Sequence, residues 1–398
     1  MSCPGPAAKP PGVSLAEVLG LGLKLTPLAL PSRHWKILRA LQVCRTRALG
    51  GHRYQCADCG LTHFVPHSCR NRHCPVCQGQ AAHQWLEQQQ AALLPVPYFH
   101  LVFTLPHQLN PLIQQNQQPL YTLLFNAASQ TLLQFGQNRF AAQLGITAVL
   151  HTWSQTLLDH YHLHCIVTGG GLVEQDSRWV SAPRHYLFPV RALAKVFCGK
   201  FCAGLRQLYG SNQFEFHGQL AALATVGKFN QLLRQATRKK WVVYAKQPFA
   251  GPRQVLVYLS RYTHRVAISP RRLLRLDVSN RTVTFAWKDY ADGAKPKVMT
   301  LELKEFVRRF CLHLLPERFV KIRHYGFLTN RHRRAKVAQA RKLLAQQTLT
   351  QAVPLPAPVT DSTLPPARVC PFCGSDQLRL LERVPPSLQL PEMGFDSS

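Results

Sequence analysis

The chain has 398 residues but only 18 acidic side chains, against 48 Lys and Arg, which leaves a formal net charge of +30. A protein that needs charge only for solubility mixes both signs, so an excess this large is directed at a polyanion, and nucleic acid is the expected partner. The shortage of acids also leaves few candidates for a phosphoryl-transfer site built on three carboxylates. No apolar run reaches the roughly 18 residues of a membrane-spanning helix. The opening Met1-Ser2-Cys3-Pro4-Gly5-Pro6 lacks a basic-then-apolar export pattern, so the expected setting is the cytoplasm, with no membrane partner. A phosphate-binding Gly-x-x-x-x-Gly-Lys-Ser/Thr loop is missing too. Gly199-Lys200 and Gly227-Lys228 are each followed by Phe, which excludes an obvious nucleotide-driven motor.

Cysteine, by contrast, is plentiful: thirteen in a chain without an export signal, which argues for metal rather than disulfides. Cys56-Ala57-Asp58-Cys59-Gly60 and Cys74-Pro75-Val76-Cys77 are two knuckles fourteen residues apart. At that spacing Cys56, Cys59, Cys74 and Cys77 are expected to close four thiolates around one structural zinc. Cys44, His52, His63, His67, Cys69 and His73 supply donors for a second ion. Arg70 and Arg72, between the knuckles, suit phosphate contact. A lone knuckle, Cys370-Pro371-Phe372-Cys373-Gly374, follows the Pro-rich stretch from Pro354 to Pro366; it needs two ligands from elsewhere, or is a decayed ribbon.

Periodicity and turn residues divide the chain into a flexible arm (1–33, with a short helical stretch at 15–25), a helical and zinc-binding DNA-binding domain (34–96), a large domain (97–345) and a Pro-rich tail (346–398). Tyr98 to Pro106 reads as the first strand of the large domain. Helical patterns follow at 109–135, and 145–155 with 162–168 form an antiparallel pair joined through 157–161. Helices are expected at 190–209, 220–237 and 255–263, and strands at 241–245, 266–268, 273–278, 283–287 and 298–303. The fold class is therefore α+β, with a central antiparallel sheet flanked by helices behind a small zinc-binding domain.

Within that frame, His162-Leu163-His164 is the most telling group. Residues two apart on a strand point to one face, so both imidazoles can converge on one ion while Leu163 faces the opposite core. Tyr258 and Tyr262 lie one helical turn apart; such a pair is ordinarily core packing. Arg261 between them, and His264 with Arg265, suit a phosphate or a surface. Arg318 to Lys342 holds nine Lys or Arg and no acid, among them Arg331, Arg333 and Arg334, interleaved with His324, Tyr325, Phe327 and His332. Bases neutralise phosphates and rings stack on bases, so single-stranded DNA is the natural occupant, with a solvated helix face as the alternative.

Taken together, these motifs resemble the two-tyrosine HUH transposases of rolling-circle insertion sequences, the IS91 type. The resemblance spans about residues 36 to 345 and rests on five motifs in order. They are Ser68 to Cys77, Phe103-Thr104-Leu105-Pro106, His162-Leu163-His164 before a triple Gly, Tyr258 to Ile268, and His324-Tyr325-Gly326 before Asn330 to Arg333. It implies an HUH endonuclease-like catalytic domain, with Tyr258 and Tyr262 as nucleophiles that nick and religate single-stranded DNA through a 5′-phosphotyrosine. It further implies a catalytic Mg or Mn on His162 and His164, a zinc in the N-terminal domain, a borrowed host helicase, and work at the bacterial nucleoid. Gln155 is the expected third ligand, because it lies across the hairpin seven residues before His162, a spacing similar to that of related replication initiators; His151 is the alternative. A replication or mobilisation initiator and a non-catalytic zinc DNA-binding protein are the rival classes.

Overall fold

The computed structural model describes residues 13–25, 30–90, 93–173, 177–246, 266–349 and 369–387. In chain order its elements begin with helices α1 (Leu15–Leu25) and α2 (Ser32–Gln42), strands β1 (Gly51–Cys56) and β2 (Thr62–Pro66), and helix α3 (Pro75–Gln90). Strand β3 (Tyr98–Thr104), helices α4 (Asn110–Gln115) and α5 (Gln117–Phe140), and strands β4 (Gln143–Trp153), β5 (Asp159–Val173) and β6 (Arg178–Ser181) follow. Helices α6 (Val190–Gly210) and α7 (Val226–Thr237) precede strands β7 (Val242–Lys246), β8 (Leu273–Asp277), β9 (Thr282–Asp289) and β10 (Lys295–Glu302). The chain closes with α8 (Leu303–Cys311), β11 (Ile322–Gly326), α9 (Arg333–Leu349) and β12 (Leu378–Val384). No strand forms at 266–268. No helix among the described residues is long and apolar enough to cross a membrane.

The large sheet runs β11-β4-β5-β3-β7, with β6 also on β5, and every pair is antiparallel. One face is apolar: Phe103, Leu150, Leu163, Cys165 and Val167 pack on Leu124, Phe125 and Leu132 of α5 and Phe197, Phe201 and Leu205 of α6. Each such side chain contributes about 1.5–3 kcal/mol on burial, so this face fixes which residues turn the other way. On the opposite face, Tyr98, Ile166, Leu172 and Trp179 are covered by Val337, Ala340 and Leu344 of α9 at one end. The remainder of that face carries the histidines.

Two glycines at the edges of the sheet are required by geometry. Gly170, the middle of the triple, has φ +150° and lies so close to β6 that a Cβ would meet Val180 O at 2.5 Å and the Trp179 ring at 2.8 Å. Gly326, ending β11, has φ +65° and would drive a Cβ into Leu144 O.

Two boundaries differ from the sequence reading. Residues 15–25 are not part of a free arm. Leu15, Val18, Leu19 and Gly22 form a buried stripe at helical spacing, and the helix starts at a capping box in which Ser14 N–H donates to Glu17 (2.8 Å) and Glu17 N–H to Ser14 Oγ (3.1 Å). That stripe packs with α2 and with Phe306, Val307 and Phe310 of α8. Nor is the C-terminal segment a separate tail. β12 pairs with β1 from Gly51↔Val384 to Cys56↔Leu378, making a third strand on the β1–β2 hairpin of the N-terminal module.

Candidate metal centres and nucleic-acid face

β5 lies between β3 and β4, and its register decides the histidine site. His162 faces Thr104 on β3 and His151 on β4; His164 faces Val102 and Val149. Cross-strand partners share a face, so His151 joins the His162/His164 pair. One donor atom from each of the three lies within 4.8 Å of the others, and all three residues are buried. Ring centroids are 4.4 Å apart for His151 and His164 and 4.9 Å for His162 and His164.

Hydrogen bonds set which nitrogen of each ring is available. His162 Nδ1 lies 2.8 Å from the carbonyl oxygen of His160, which can only accept, so Nδ1 carries the proton and Nε2 keeps its lone pair. His164 Nδ1 lies 2.8 Å from His100 Nε2, with the two rings stacked 3° from parallel. His100 is buried on β3, and burial, with Lys246 nearby, lowers its pKa to about 4, so it is neutral near pH 7. A neutral His100 can accept at Nε2 from His164 Nδ1–H, the tautomer that leaves the Nε2 lone pair of His164 free. His151 stacks on Trp153 at 4.7 Å. Three imidazoles on a rigid strand pair form a donor set that could hold a divalent cation and leave its other positions open.

Gln155, the expected third ligand, lies beyond the end of the strand that carries His151. β4 ends at Trp153, and Gln155 sits in the tight turn beyond it, where Ser154 N–H donates to Leu158 O (2.8 Å) and Leu157 adopts φ 62°. The carbonyl of Gln155 accepts a hydrogen bond from the Arg272 guanidinium. The turn begins two residues earlier than the sequence reading placed it, which leaves His151, the alternative, as the residue opposite His162 on the paired strands. Tyr258, Tyr262 and Arg261, with His264 and Arg265, lie in residues 247–265, outside the described residues. Their described flanks are Lys246, paired with His100 at the edge of the histidine face, and Val266 with Ala267, which line a cavity with Leu150, Trp153 and His313.

The cysteines sort differently from the expectation. Cys56, Cys59, Cys74 and Cys77 do not meet; the two knuckles belong to separate clusters. Cys74 and Cys77, at the start of α3, join Cys44 and Cys69, with Sγ separations of 3.6 Å (Cys44 to Cys77 and to Cys74) and 3.7 Å (Cys69 to Cys77). These are well beyond the ~2.05 Å of a disulfide and near the ~3.8 Å edge of a tetrahedron with 2.3 Å zinc–sulfur bonds. The cluster is packed among apolar side chains of α1, α2 and α8. Cys56, at the end of β1, points to the far end of the hairpin and meets Cys373. Cys44 and Cys69, two of the six donors that the sequence offered for a second ion, stand outside any Cys-x-x-Cys pair, so their grouping with Cys74 and Cys77 came only from their position.

The basic residues divide as well. Arg72 donates to Phe319 O (2.6 Å) and Pro316 O (2.5 Å), and beside it His73 Nε2 accepts from Leu315 N–H (3.0 Å). Arg72, expected from the sequence to contact phosphate, thus ties the cysteine module to the segment leading into β11. Arg70 is exposed, as are Arg331 and Arg334 at the head of α9, whereas Arg333 is half-buried. Arg323 stacks over Phe125 at 4.4 Å and Phe319 at 5.0 Å on the apolar side of the sheet, while His324 bonds Thr147 (3.0 Å) on the histidine side.

Comparison with known proteins agrees with this arrangement. A family model described as "Putative transposase" matches residues 145–336, and one described as "Transposase zinc-binding domain" matches 23–105, which encloses Cys44, Cys69, Cys74 and Cys77. A protein of Sinorhizobium fredii carrying the same transposase description, y4qJ, is 42% identical over 366 residues, covering 89% of this chain and 90% of that one. The transposase for insertion sequence element IS801 of Pseudomonas savastanoi pv. phaseolicola is 29% identical over 303 residues, 72% of this chain and 68% of its own length. The chain belongs to the IS91-type transposases. Among solved structures, the conjugative relaxase TrwC in complex with oriT DNA aligns at a TM-score of 0.23 and 12% identity, over 54% of this chain and 86% of the relaxase chain.

Proposed function

We propose that this transposase cuts and rejoins single-stranded DNA at the ends of its element through a 5′-phosphotyrosine, and so moves the element by rolling-circle-type transposition. The observation that carries the reading is the face of three buried imidazoles on the central strands. His151, His162 and His164 would hold Mg or Mn, and the bound cation would draw charge from a nonbridging oxygen of the scissile phosphate. Three imidazoles suit Mn better than the harder Mg, which prefers oxygen. His100 and the His160 carbonyl keep two of the rings in the tautomer that presents Nε2.

The phenol of Tyr258 or Tyr262 attacks phosphorus, the bond to the 3′ oxygen breaks, and that oxygen leaves as a hydroxyl after taking up a proton. The 5′ phosphate stays on the tyrosine. Attack by a 3′ hydroxyl reverses the exchange and frees the phenol, so strands are rejoined without ATP. Two tyrosines allow donor and target strands to be cut in one site. Arg70, Arg261, Arg331, Arg333 and Arg334 neutralise the backbone, and Cys44, Cys69, Cys74 and Cys77 hold a structural zinc. Strand separation falls to a host helicase. A labelled single-stranded element terminus incubated with the protein and Mn or Mg tests the scheme. A covalent protein–DNA adduct is expected with wild type and none with Tyr258→Phe/Tyr262→Phe; an adduct that survives His162→Ala/His164→Ala overturns the role given to the cation.

A further inference from the structure

We propose that Cys56, Cys59, Cys370 and Cys373 form a second zinc site, built jointly by the N-terminal module and the C-terminal segment, that locks β12 onto β1. The matched zinc-binding domain ends at residue 105 and contains only half of these ligands. The other half lies more than three hundred residues further on, with sequence separations of 317 for Cys56 and Cys373 and 311 for Cys59 and Cys370.

The two knuckles are copies of one turn. Each reads Cys-x-x-Cys-Gly. In each the glycine has a positive φ, +70° at Gly60 and +79° at Gly374, and donates its N–H to the carbonyl of the first cysteine, at 3.0 Å and 2.9 Å. The turns face each other, with Sγ separations of 3.5 Å (Cys56 to Cys373) and 3.6 Å (Cys59 to Cys370). Those lengths exclude a disulfide and match a tetrathiolate tetrahedron, the donor set for zinc. Sheet pairing continues into the site: Cys56 lies opposite Leu378, and Ala57 N–H donates to Gln377 O (2.9 Å).

What else holds β12 in place is slight. All but its two end residues are exposed, Leu380 and Leu381 by 39% and 47%. A three-stranded sheet with so little apolar cover is marginal by itself, and small modules of this kind take their folding free energy from a metal. Cys56 and Cys370 are buried at the sheet end, but Cys373 is exposed, in contrast to the first cluster, where Cys69 and Cys74 are enclosed by the apolar core. The second ion is therefore the more accessible of the two.

The test uses the full chain and needs no DNA. Elemental analysis should find two zinc per wild-type chain and one in Cys370→Ser/Cys373→Ser. Challenge of the wild type with a chelator should release zinc in two steps, the faster one absent from the variant. Hydrogen exchange at the amides of Gly51–Cys56 and Leu378–Val384 should speed up with loss of the fast zinc, while β4 and β5 keep their protection. Cys373→His, which preserves a tetrahedral donor set, should keep two zinc. One zinc per wild-type chain, two zinc in the double variant, or single-step release each overturns the proposal.

Discussion

The histidine centre and the cysteine centres of this transposase are assembled in opposite ways. His151, His162 and His164 come from two adjacent strands joined by a tight turn, and the rigid, fully paired middle of a sheet places them. The cysteine clusters draw on donors further apart in the chain, and a structural zinc held by them would contribute to folding the region around it. The difference teaches that the first centre is preorganised by its sheet, so its loss is expected to spare the fold, whereas loss of a cysteine centre is expected to remove the fold around it first.

Substitutions can break or sharpen that contrast. The largest effect is expected from Cys69→Ala/Cys74→Ala, because a structural zinc contributes on the order of 10 kcal/mol to folding in small modules. Limited proteolysis should find the segment 13–90 cut rapidly, with the sheet domain more resistant. Next, His151→Ala should reduce adduct formation to background and weaken Mn binding while leaving the melting temperature close to wild type. Gln155→Ala should retain activity; if these two outcomes are exchanged, the assignment of the third ligand is wrong. A subtler break is His100→Phe, which keeps a ring against His164 but removes the acceptor. Loss of such an outer partner typically costs 10–100-fold in metal affinity, measurable by calorimetry with Mn. The smallest effect on nucleic-acid binding belongs to Arg72→Met. Two charged hydrogen bonds to carbonyls contribute roughly 1.5–3 kcal/mol each, so thermal stability should fall, and DNA affinity measured on the folded protein should stay nearly unchanged. A large loss of DNA affinity would restore the phosphate role to Arg72.

Much of the histidine centre is legible in the sequence. The two-residue spacing of His162 and His164 works because strand geometry repeats every two residues, and the β-rich runs at 98–106 and 241–245 lie close to where the strands form, Tyr98–Thr104 and Val242–Lys246. The third ligand is less legible, since it depends on where a turn begins. The Ser154–Leu158 turn and the left-handed Leu157 end β4 two residues before Gln155, a local choice that residue types alone leave open. The cysteine grouping is illegible for a different reason. Knuckle spacing says that each pair binds metal, but not which pairs share one ion. The stripe on α1 likewise announces a buried helix without naming α8 as its cover.

By itself, then, the sequence determined what depends on neighbours along the chain: the strand that aims two imidazoles one way, the knuckle turns, the basic excess directed at DNA, and membership of a transposase family carried by motifs in order. Tertiary structure alone decided what depends on closing long loops. Strand register put His151 opposite His162, and β12 returned to β1 to bring Cys370 and Cys373 to Cys56 and Cys59. Docking of the modules turned Arg72 toward the carbonyls of Pro316 and Phe319. The physical reason is common to all three. Local geometry is set by the chemistry of a few adjacent residues, while long-range pairing is chosen by the total burial and hydrogen bonding of the whole chain, which no short segment encodes.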